Sequence, residues 1–223
     1  MHLLFDRERD RVVLIDGGLG RGFIPKIQDR LKRQGLTMKE VEAILLTHGH
    51  FDHTANVKRL HELSGAPVLA HRGDAEWIQG RGRNRGWSRV GGFLEGVWPA
   101  LTSYRPPRID EWFADGDRLP YCGGLEVHHL PGHTPGHCGF WSEANQWFFA
   151  GDLFAIQFGK PVVPPAIFSF DPAEGWRSLI RANDQIPNSA GVWLNHGSLG
   201  SPERDREALS ALAKRLNSNS RRG

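Results

Sequence analysis

The chain has 223 residues, 39% of them hydrophobic, so it can bury a core and is expected to form one domain over residues 1–223. Its net charge of +3 suits an anionic substrate but does not by itself indicate a nucleic-acid partner. No apolar run approaches the ~20 residues of a membrane helix, and the start turns charged too early for a signal peptide. Cys122 and Cys138 are too few for a disulfide framework, which favours a reduced, cytoplasmic protein.

The first part of the chain alternates predicted strands with predicted helices. Strands are expected at four segments: residues 3–5, 12–15, 41–46 and 67–70. Helices are expected at two segments: residues 24–34 and 54–63. A further short helix is predicted after Thr37, which begins a capping box that Glu40 completes.

Residues 72–111 interrupt this alternation and are predicted to form a lid-like insertion. A Gly/Arg stretch at residues 80–86 lies among scattered aromatic residues. Long insertions with aromatic anchors are often lids or binding loops, but a variable surface excursion is an equal alternative. Its arginines could meet an anionic substrate or could simply be solvated.

The second part of the chain predicts hairpins and two further helices. Strands are expected at four segments: residues 125–130, 140–141, 147–150 and 192–195. Asp171 caps a helix that runs to about residue 183, with proline at its first position. Ser201 precedes the final helix, which carries leucines on one face.

A cluster of potential metal ligands follows the apolar run at residues 41–46 and lies in one heptapeptide: Thr47-His48-Gly49-His50-Phe51-Asp52-His53. The four ligands are spaced by two, two and one residues, which matches no single helical face but suits a loop at the end of a strand. Two overlapping sites on such a loop would hold two cations about 3.5–4 Å apart. The alternative is a polar loop whose histidines are only solvated.

Three more potential ligands each stand just beyond a predicted strand: His133, Asp152 and His196. Each one alone could be an ordinary loop residue. Because open sheets gather ligands at strand ends, we expect the three to converge with the heptapeptide.

Five motifs occur in the order found in the metallo-β-lactamase superfamily, which the chain resembles over nearly its whole length: Asp16-Gly17-Gly18, the heptapeptide, Gly132-His133-Thr134-Pro135-Gly136-His137, Ala150-Gly151-Asp152 and Asn195-His196-Gly197. The resemblance implies an α/β fold, a four-layer αβ/βα sandwich. Two mixed sheets would pack face to face, with helices on both outer faces and metals at one edge of the sheets.

Carried over by position, the resemblance implies a complete two-metal site. One cation would be held by His48, His50 and His133, the other by Asp52, His53 and His196, with Asp152 bridging. Asp52 and Asp152 would also be the catalytic residues, while Asp16 and His137 would orient ligands. Imidazole and carboxylate ligands without a thiolate suit two divalent ions, with zinc favoured and iron or manganese as alternatives.

This site implies a metal-dependent hydrolase in which a hydroxide between the cations attacks an ester, thioester or lactone carbonyl of a small molecule. Asp152 argues against the β-lactamases, which lack it, and Ala155 stands where lactonases carry tyrosine. The glyoxalase II branch matches in part: Lys160 would correspond to a glutathione-contacting lysine, although a surface lysine is the alternative.

Two other reaction classes stay open. A mononuclear-iron persulfide dioxygenase retains most of the same motifs. A phosphodiesterase ranks lower, because only the arginine-rich insertion supports it and the extra motifs of nucleic-acid-processing branches are not found. The sequence therefore predicts a small-molecule partner and disfavours nucleic acid or a membrane.

Overall fold

The computed structural model describes residues 1–20, 22–82 and 104–220. Within them, one sheet has five strands in sequential order: β1 (His2–Asp6), β2 (Arg11–Ile15), β3 (Val41–Leu45), β4 (Val68–His71) and β5 (Glu111–Phe113). β1 and β2 pair antiparallel, whereas β2 to β5 pair parallel. The parallel strands therefore direct their carboxyl ends to the same edge of the sheet.

The second sheet is built mainly from hairpins and has the order β12-β9-β8-β7-β6. Its strands are β6 (Arg118–Leu119), β7 (Leu125–His129), β8 (Cys138–Ser142), β9 (Trp147–Phe149) and β12 (Gly191–Trp193). Only β12 pairs parallel to its neighbour, β9, and the other pairs are antiparallel. A separate hairpin joins β10 (Ala155–Gln157) to β11 (Lys160–Val162).

The described helices are α1 (Phe23–Lys32), α2 (Phe51–Thr54), α3 (Val57–Ser64), α4 (Ala75–Ile78), α5 (Pro172–Gln185) and α6 (Pro202–Ser220). α1 and α3 cover the outer face of the first sheet, where Leu31 and Leu60 are fully buried. α5 and α6 cover the outer face of the second sheet, through residues such as Leu179 and Leu209.

The core lies between the two sheets, and each sheet contributes apolar residues to it. Strand residues alternate between faces, so Val13 and Ile15 of β2 point to the second sheet while Val12 and Leu14 point to the helices. From the other side, β8 and its neighbours contribute Phe140 and further buried apolar residues. The four-layer α/β sandwich predicted from the sequence is confirmed.

The structure refines several local predictions. The capping box of Thr37 and Glu40 is present, but the helix that it starts is a single 3-10 turn. The heptapeptide is not wholly a loop, since α2 begins at Phe51 within it. Cys122 and Cys138 are both buried between the sheets. Among the described residues, no helix is long and apolar enough to cross a membrane.

The segment predicted as an insertion is described only at its ends. A 3-10 turn and α4 follow β4, and the chain re-enters the first sheet at β5. Near these ends, Trp77 is buried and Tyr104 donates a hydrogen bond to the carbonyl of Ile78. Residues 83–103, with most of the Gly/Arg stretch, lie outside the described residues. The lid role therefore stays a prediction.

Gly132→Ala is expected to destabilise the fold. An added Cβ would collide with the backbone of Gly175 on α5, and the φ of +133° disfavours an L side chain. Such overpacking costs about 1–3 kcal/mol of unfolding free energy, and about 1 kcal/mol lowers the melting temperature by roughly 2–4 °C in a chain of this size. Thermal unfolding would measure the loss.

Gly116→Ala is the matched control. Its φ is also positive, +77°, but no described atom lies within 4 Å of the added Cβ. Equal losses of melting temperature in the two variants would contradict a constraint from the contact with Gly175.

Candidate metal centre

The heptapeptide leaves β3 at the edge where the parallel strands end. His48 and His50 lie on the connecting segment, and His50 is the N-cap residue of α2 with extended backbone angles. Asp52 and His53 lie in the first turn of α2. The change from extended to helical backbone between His50 and Asp52 is what lets closely spaced side chains reach a common point from two directions.

The other three predicted ligands come from the second sheet. His133 follows β7, Asp152 follows β9 and His196 follows β12. His196 Nε2 lies 3.1 Å from Asp152 Oδ2, and His133 Nε2 lies 3.5 Å from the same oxygen. The strand-end reasoning thus leads to residues that are neighbours in space.

All seven predicted ligands come together at this edge. Three sets of three residues place one ligand atom each within 4.8 Å of one another: His48/His50/His133, His48/His53/Asp152 and Asp52/His53/His196. The first and third sets are the two implied by the family resemblance. Asp152 lies between them, since its carboxylate also approaches His53 Nε2 at 3.5 Å. The geometry suits adjacent cations that share Asp152.

Burial prepares two of the histidines to bind a metal. Desolvation lowers the pKa of His48 and of His133 well below the usual value, so both imidazoles are neutral at physiological pH. The neutral ring is the form that donates a lone pair to a cation. His48 Nε2 is buried and has no hydrogen-bond partner in the part of the chain that the structure describes. A metal would satisfy this nitrogen.

Charge balance also fits a cation site. Burial opposes ionisation of Asp152, but neighbouring histidines, His53 first among them, outweigh it and hold the carboxyl pKa well below its usual value. Hydrogen bonds to Asp152 and Asp52 raise the pKa of His196 to about 9. The carboxylates therefore stay charged and are balanced by protons on imidazoles. Divalent cations can supply the same compensation in place of those protons.

Asp16 lies behind the ligands, as predicted, and connects three segments. Its carboxylate accepts hydrogen bonds from the Thr47 amide at 2.8 Å and the Asn195 side-chain amide at 2.6 Å. It also lies 3.0 Å from His53 Nδ1, which directs His53 Nε2 towards Asp152. Its φ of +65° is unusual for a residue with a side chain. Such a backbone persists only where the surroundings impose it.

His137, the other predicted orienting residue, is fully buried beside Asp152. Its Nε2 accepts a hydrogen bond from the Asp152 amide at 3.0 Å, and its Nδ1 lies 3.0 Å from the carbonyl oxygen of Leu130. Burial lowers its pKa to about 4, so the ring is neutral and Nδ1–H donates to that carbonyl. His137 thereby positions the backbone of Asp152.

Asp74 is a supporting residue that the sequence analysis missed. It is 1% exposed, and its carboxylate accepts hydrogen bonds from the Gly49 amide at 2.7 Å, the Thr134 hydroxyl at 2.6 Å and the Gly136 amide at 2.6 Å. It therefore ties the loop of His48 and His50 to the loop that follows His133. The signal was available, since Asp74 also stands just beyond a predicted strand.

Lys160 lies on β11, and its side chain is exposed. A cavity of about 350 Å³ opens over the cluster and is lined by five of the predicted ligands: His50, Asp52, His133, Asp152 and His196. Lys160 is not among the residues that line it. Contact between Lys160 and a substrate therefore stays a prediction.

Two mixed sheets with a His/Asp cluster at their common edge define an α/β protein whose cluster is compatible with a metal site. The sequence profile described as "Metallo-beta-lactamase superfamily" matches residues 3–189. The chain belongs to the metallo-beta-lactamase superfamily.

Curated relatives include proteins named hydroxyacylglutathione hydrolase. Hydroxyacylglutathione hydrolase GloC of Haemophilus influenzae is 28% identical, and the match covers 88% of this chain and 84% of that protein. Hydroxyacylglutathione hydrolase of Bdellovibrio bacteriovorus is also 28% identical, over 70% of this chain and 49% of that protein. The chain thus matches about half the length of the latter relative.

Solved structures show the same fold. A metallo-beta-lactamase family protein of Thermus thermophilus, TTHA1429, is 25% identical with a TM-score of 0.69, and the match covers 97% of this chain and 73% of that one. TTHA1623, solved in a di-iron-bound form, is 28% identical with a TM-score of 0.65, over 88% of this chain and 86% of that one.

Asp74→Asn is expected to weaken metal binding about 10- to 100-fold, the usual cost of losing a group that orients metal ligands. An asparagine has one oxygen for three donors, so its amino group would face one of them. Metal affinity would be measured by competition with a chromogenic chelator, with circular dichroism as a check on folding.

Asp117→Asn is the matched control, because Asp117 accepts a backbone hydrogen bond from Ala114 at an exposed turn away from the cluster. Unchanged metal affinity in a folded Asp74→Asn protein would contradict the role given to Asp74.

Proposed function

We propose that the chain is a hydrolase that uses two divalent cations, zinc in the first instance, to cleave an ester, thioester or lactone. The observation that carries this proposal is the position of Asp152, whose carboxylate lies within 3.5 Å of ring nitrogens of His53, His133 and His196. A carboxylate between two sets of candidate ligands is the arrangement expected for a shared pair of cations.

Each set has the composition of a hydrolytic site. His48, His50 and His133 would hold one cation, and Asp52, His53 and His196 the other. Cations bound there would lower the pKa of a water molecule to about 7 and would polarise a substrate carbonyl. The protein's part is to fix these side chains through Asp16, His137 and Asp74, so that little reorganisation is needed during reaction.

Asp52 would handle protons at the cavity. Asp52 Oδ2 lies 3.3 Å from His196 Nε2, and the His196 side chain is 51% exposed. A proton released when water adds to the carbonyl can pass to a carboxylate oxygen of Asp52 and on to solvent, while the ring of His196 would hold the cation. For a thioester, water adds to the acyl carbon, the C–S bond breaks, and a carboxylic acid and a thiol leave. No serine or cysteine nucleophile is needed.

The thioester is the first substrate type to test, because two of the relatives are named hydroxyacylglutathione hydrolases. The mononuclear-iron persulfide dioxygenase is the second candidate, since it retains most of the same motifs and these ligand types accept iron. The second histidine set weighs against it, because a mononuclear site does not require that set. The arginine-rich segment behind the phosphodiesterase alternative lies mostly outside the described residues.

Metal analysis and a substrate panel separate these candidates. Protein purified without added metal is expected to contain two divalent ions per chain and to hydrolyse thioesters, esters or lactones but not phosphodiesters. One iron per chain, with oxygen uptake on glutathione persulfide, would refute the hydrolase proposal.

Asp152→Ala and His50→Ala are expected to abolish turnover and to lower the metal content. Chelation should lower the melting temperature of the wild type, and added metal should restore it, because a ligand that binds only the folded state stabilises it. In Asp152→Ala the response to metal should be largely lost.

His61→Ala is the control, because His61 lies on α3 and its Nδ1 is 2.8 Å from the carbonyl oxygen of Ala66, outside the cluster. It should change neither turnover nor metal content. Full activity with unchanged metal in Asp152→Ala would refute the shared-cation arrangement.

A further inference from the structure

The lining of the cavity over the cluster includes apolar residues beside the candidate ligands. Phe154 and Ala155 form one part of the wall, and Pro164, Pro165 and Phe168 form another. Phe168 is 38% exposed, so a bound group can reach its ring. The volume of about 350 Å³ is in the range of small-molecule sites.

Both parts of the wall are fixed to the ligand loops by the backbone. The amide of Ile156 in β10 donates to the carbonyl oxygen of His196 at 3.0 Å. The amide of Phe170, two residues after Phe168, donates to the carbonyl oxygen of His133 at 2.9 Å. The wall therefore keeps its position relative to the cluster. A substrate group that binds against the wall is held at a fixed distance from the cluster.

The described lining of the cavity offers no lysine or arginine for a second anionic group on the substrate. Asp52 and Asp152 line it, and Gln157 is the uncharged polar residue of its wall. No lysine or arginine of residues 1–20, 22–82 or 104–220 lines it. A carboxylate placed against the apolar wall would lose its hydration without gaining a cation.

From this we infer that the preferred substrate carries an uncharged, apolar acyl group, which seats against Phe168 and the two prolines while its carbonyl faces the cluster. The inference rests on the proposed hydrolase function and specifies its substrate class. A glutathione thioester would fit through its acyl part, with the charged tripeptide outside this wall.

Matched thioesters of N-acetylcysteamine test the inference on the metal-loaded full chain. The acetyl, butyryl and hexanoyl thioesters lengthen the acyl chain without adding charge. The adipyl thioester has the same six carbons as hexanoyl, with a carboxylate in place of the terminal methyl group. We expect kcat/KM to rise about fourfold for each buried methylene and to be at least tenfold lower for adipyl than for hexanoyl. Equal kcat/KM across the series would overturn the inference.

Variants of Phe168 test whether this residue causes the preference for an uncharged, apolar acyl group. Phe168→Ala should reduce kcat/KM for the hexanoyl thioester several-fold through KM and leave the acetyl thioester nearly unchanged. Phe168→Lys should narrow the ratio of hexanoyl to adipyl rates about tenfold. Phe23→Ala is the matched control, because Phe23 is also 38% exposed but lies on α1 and does not line the cavity. Equal effects of Phe23→Ala and Phe168→Ala on kcat/KM for the hexanoyl thioester would contradict binding of the acyl group against Phe168.

Binding of the product acids separates failure of this inference from failure of the hydrolase proposal. Calorimetry should show hexanoate binding at least tenfold tighter than adipate to the metal-loaded wild type, with the difference reduced in Phe168→Lys. This preference without turnover of any thioester, ester or lactone would refute the hydrolase proposal and support binding of the acyl group against the apolar wall. Turnover of a thioester with equal binding of hexanoate and adipate would support the hydrolase proposal and refute the preference for an uncharged acyl group.

Discussion

This structure depends on the balance of charge around two carboxylates that lie among imidazole rings at one edge of the sheets. Asp52 and Asp152 are held within 3.1–3.5 Å of histidine nitrogens, and Asp152 is buried. Buried charge is costly unless it is balanced, either by protons on the imidazoles or by metal cations. The rest of the fold brings these charged side chains together, because the loops that carry them meet at one edge of the two sheets.

Three buried groups keep the ligands in place, each acting across different parts of the chain. Asp16 joins β2 to the heptapeptide and to Asn195, His137 positions the backbone of Asp152, and Asp74 joins two histidine loops. These contacts connect the edges of both sheets. A change in the packing of one sheet against the other would therefore reach the cluster directly.

The fold and the candidate ligands that it brings together could largely be predicted from the sequence. Strand and helix signals are local, so β2, β3 and α5 were predicted within two residues of their ends. The seven candidate ligands were found because they share one local property, a position at or soon after the end of a strand. Their assignment to two cations came from the family resemblance and stays a prediction.

What only the tertiary structure decided involves residues that are distant in the sequence. Asp74 contacts partners 25 and 62 residues away, and no pattern in its own neighbourhood names them. The apolar wall likewise combines β10 with the turn at Phe168, and both are placed by backbone hydrogen bonds to histidine loops. Local sequence determined the elements and the ligand types, because turns and periodicity act over a few residues. The shape of the cavity came from packing between the sheets, which joins segments that the sequence alone keeps apart.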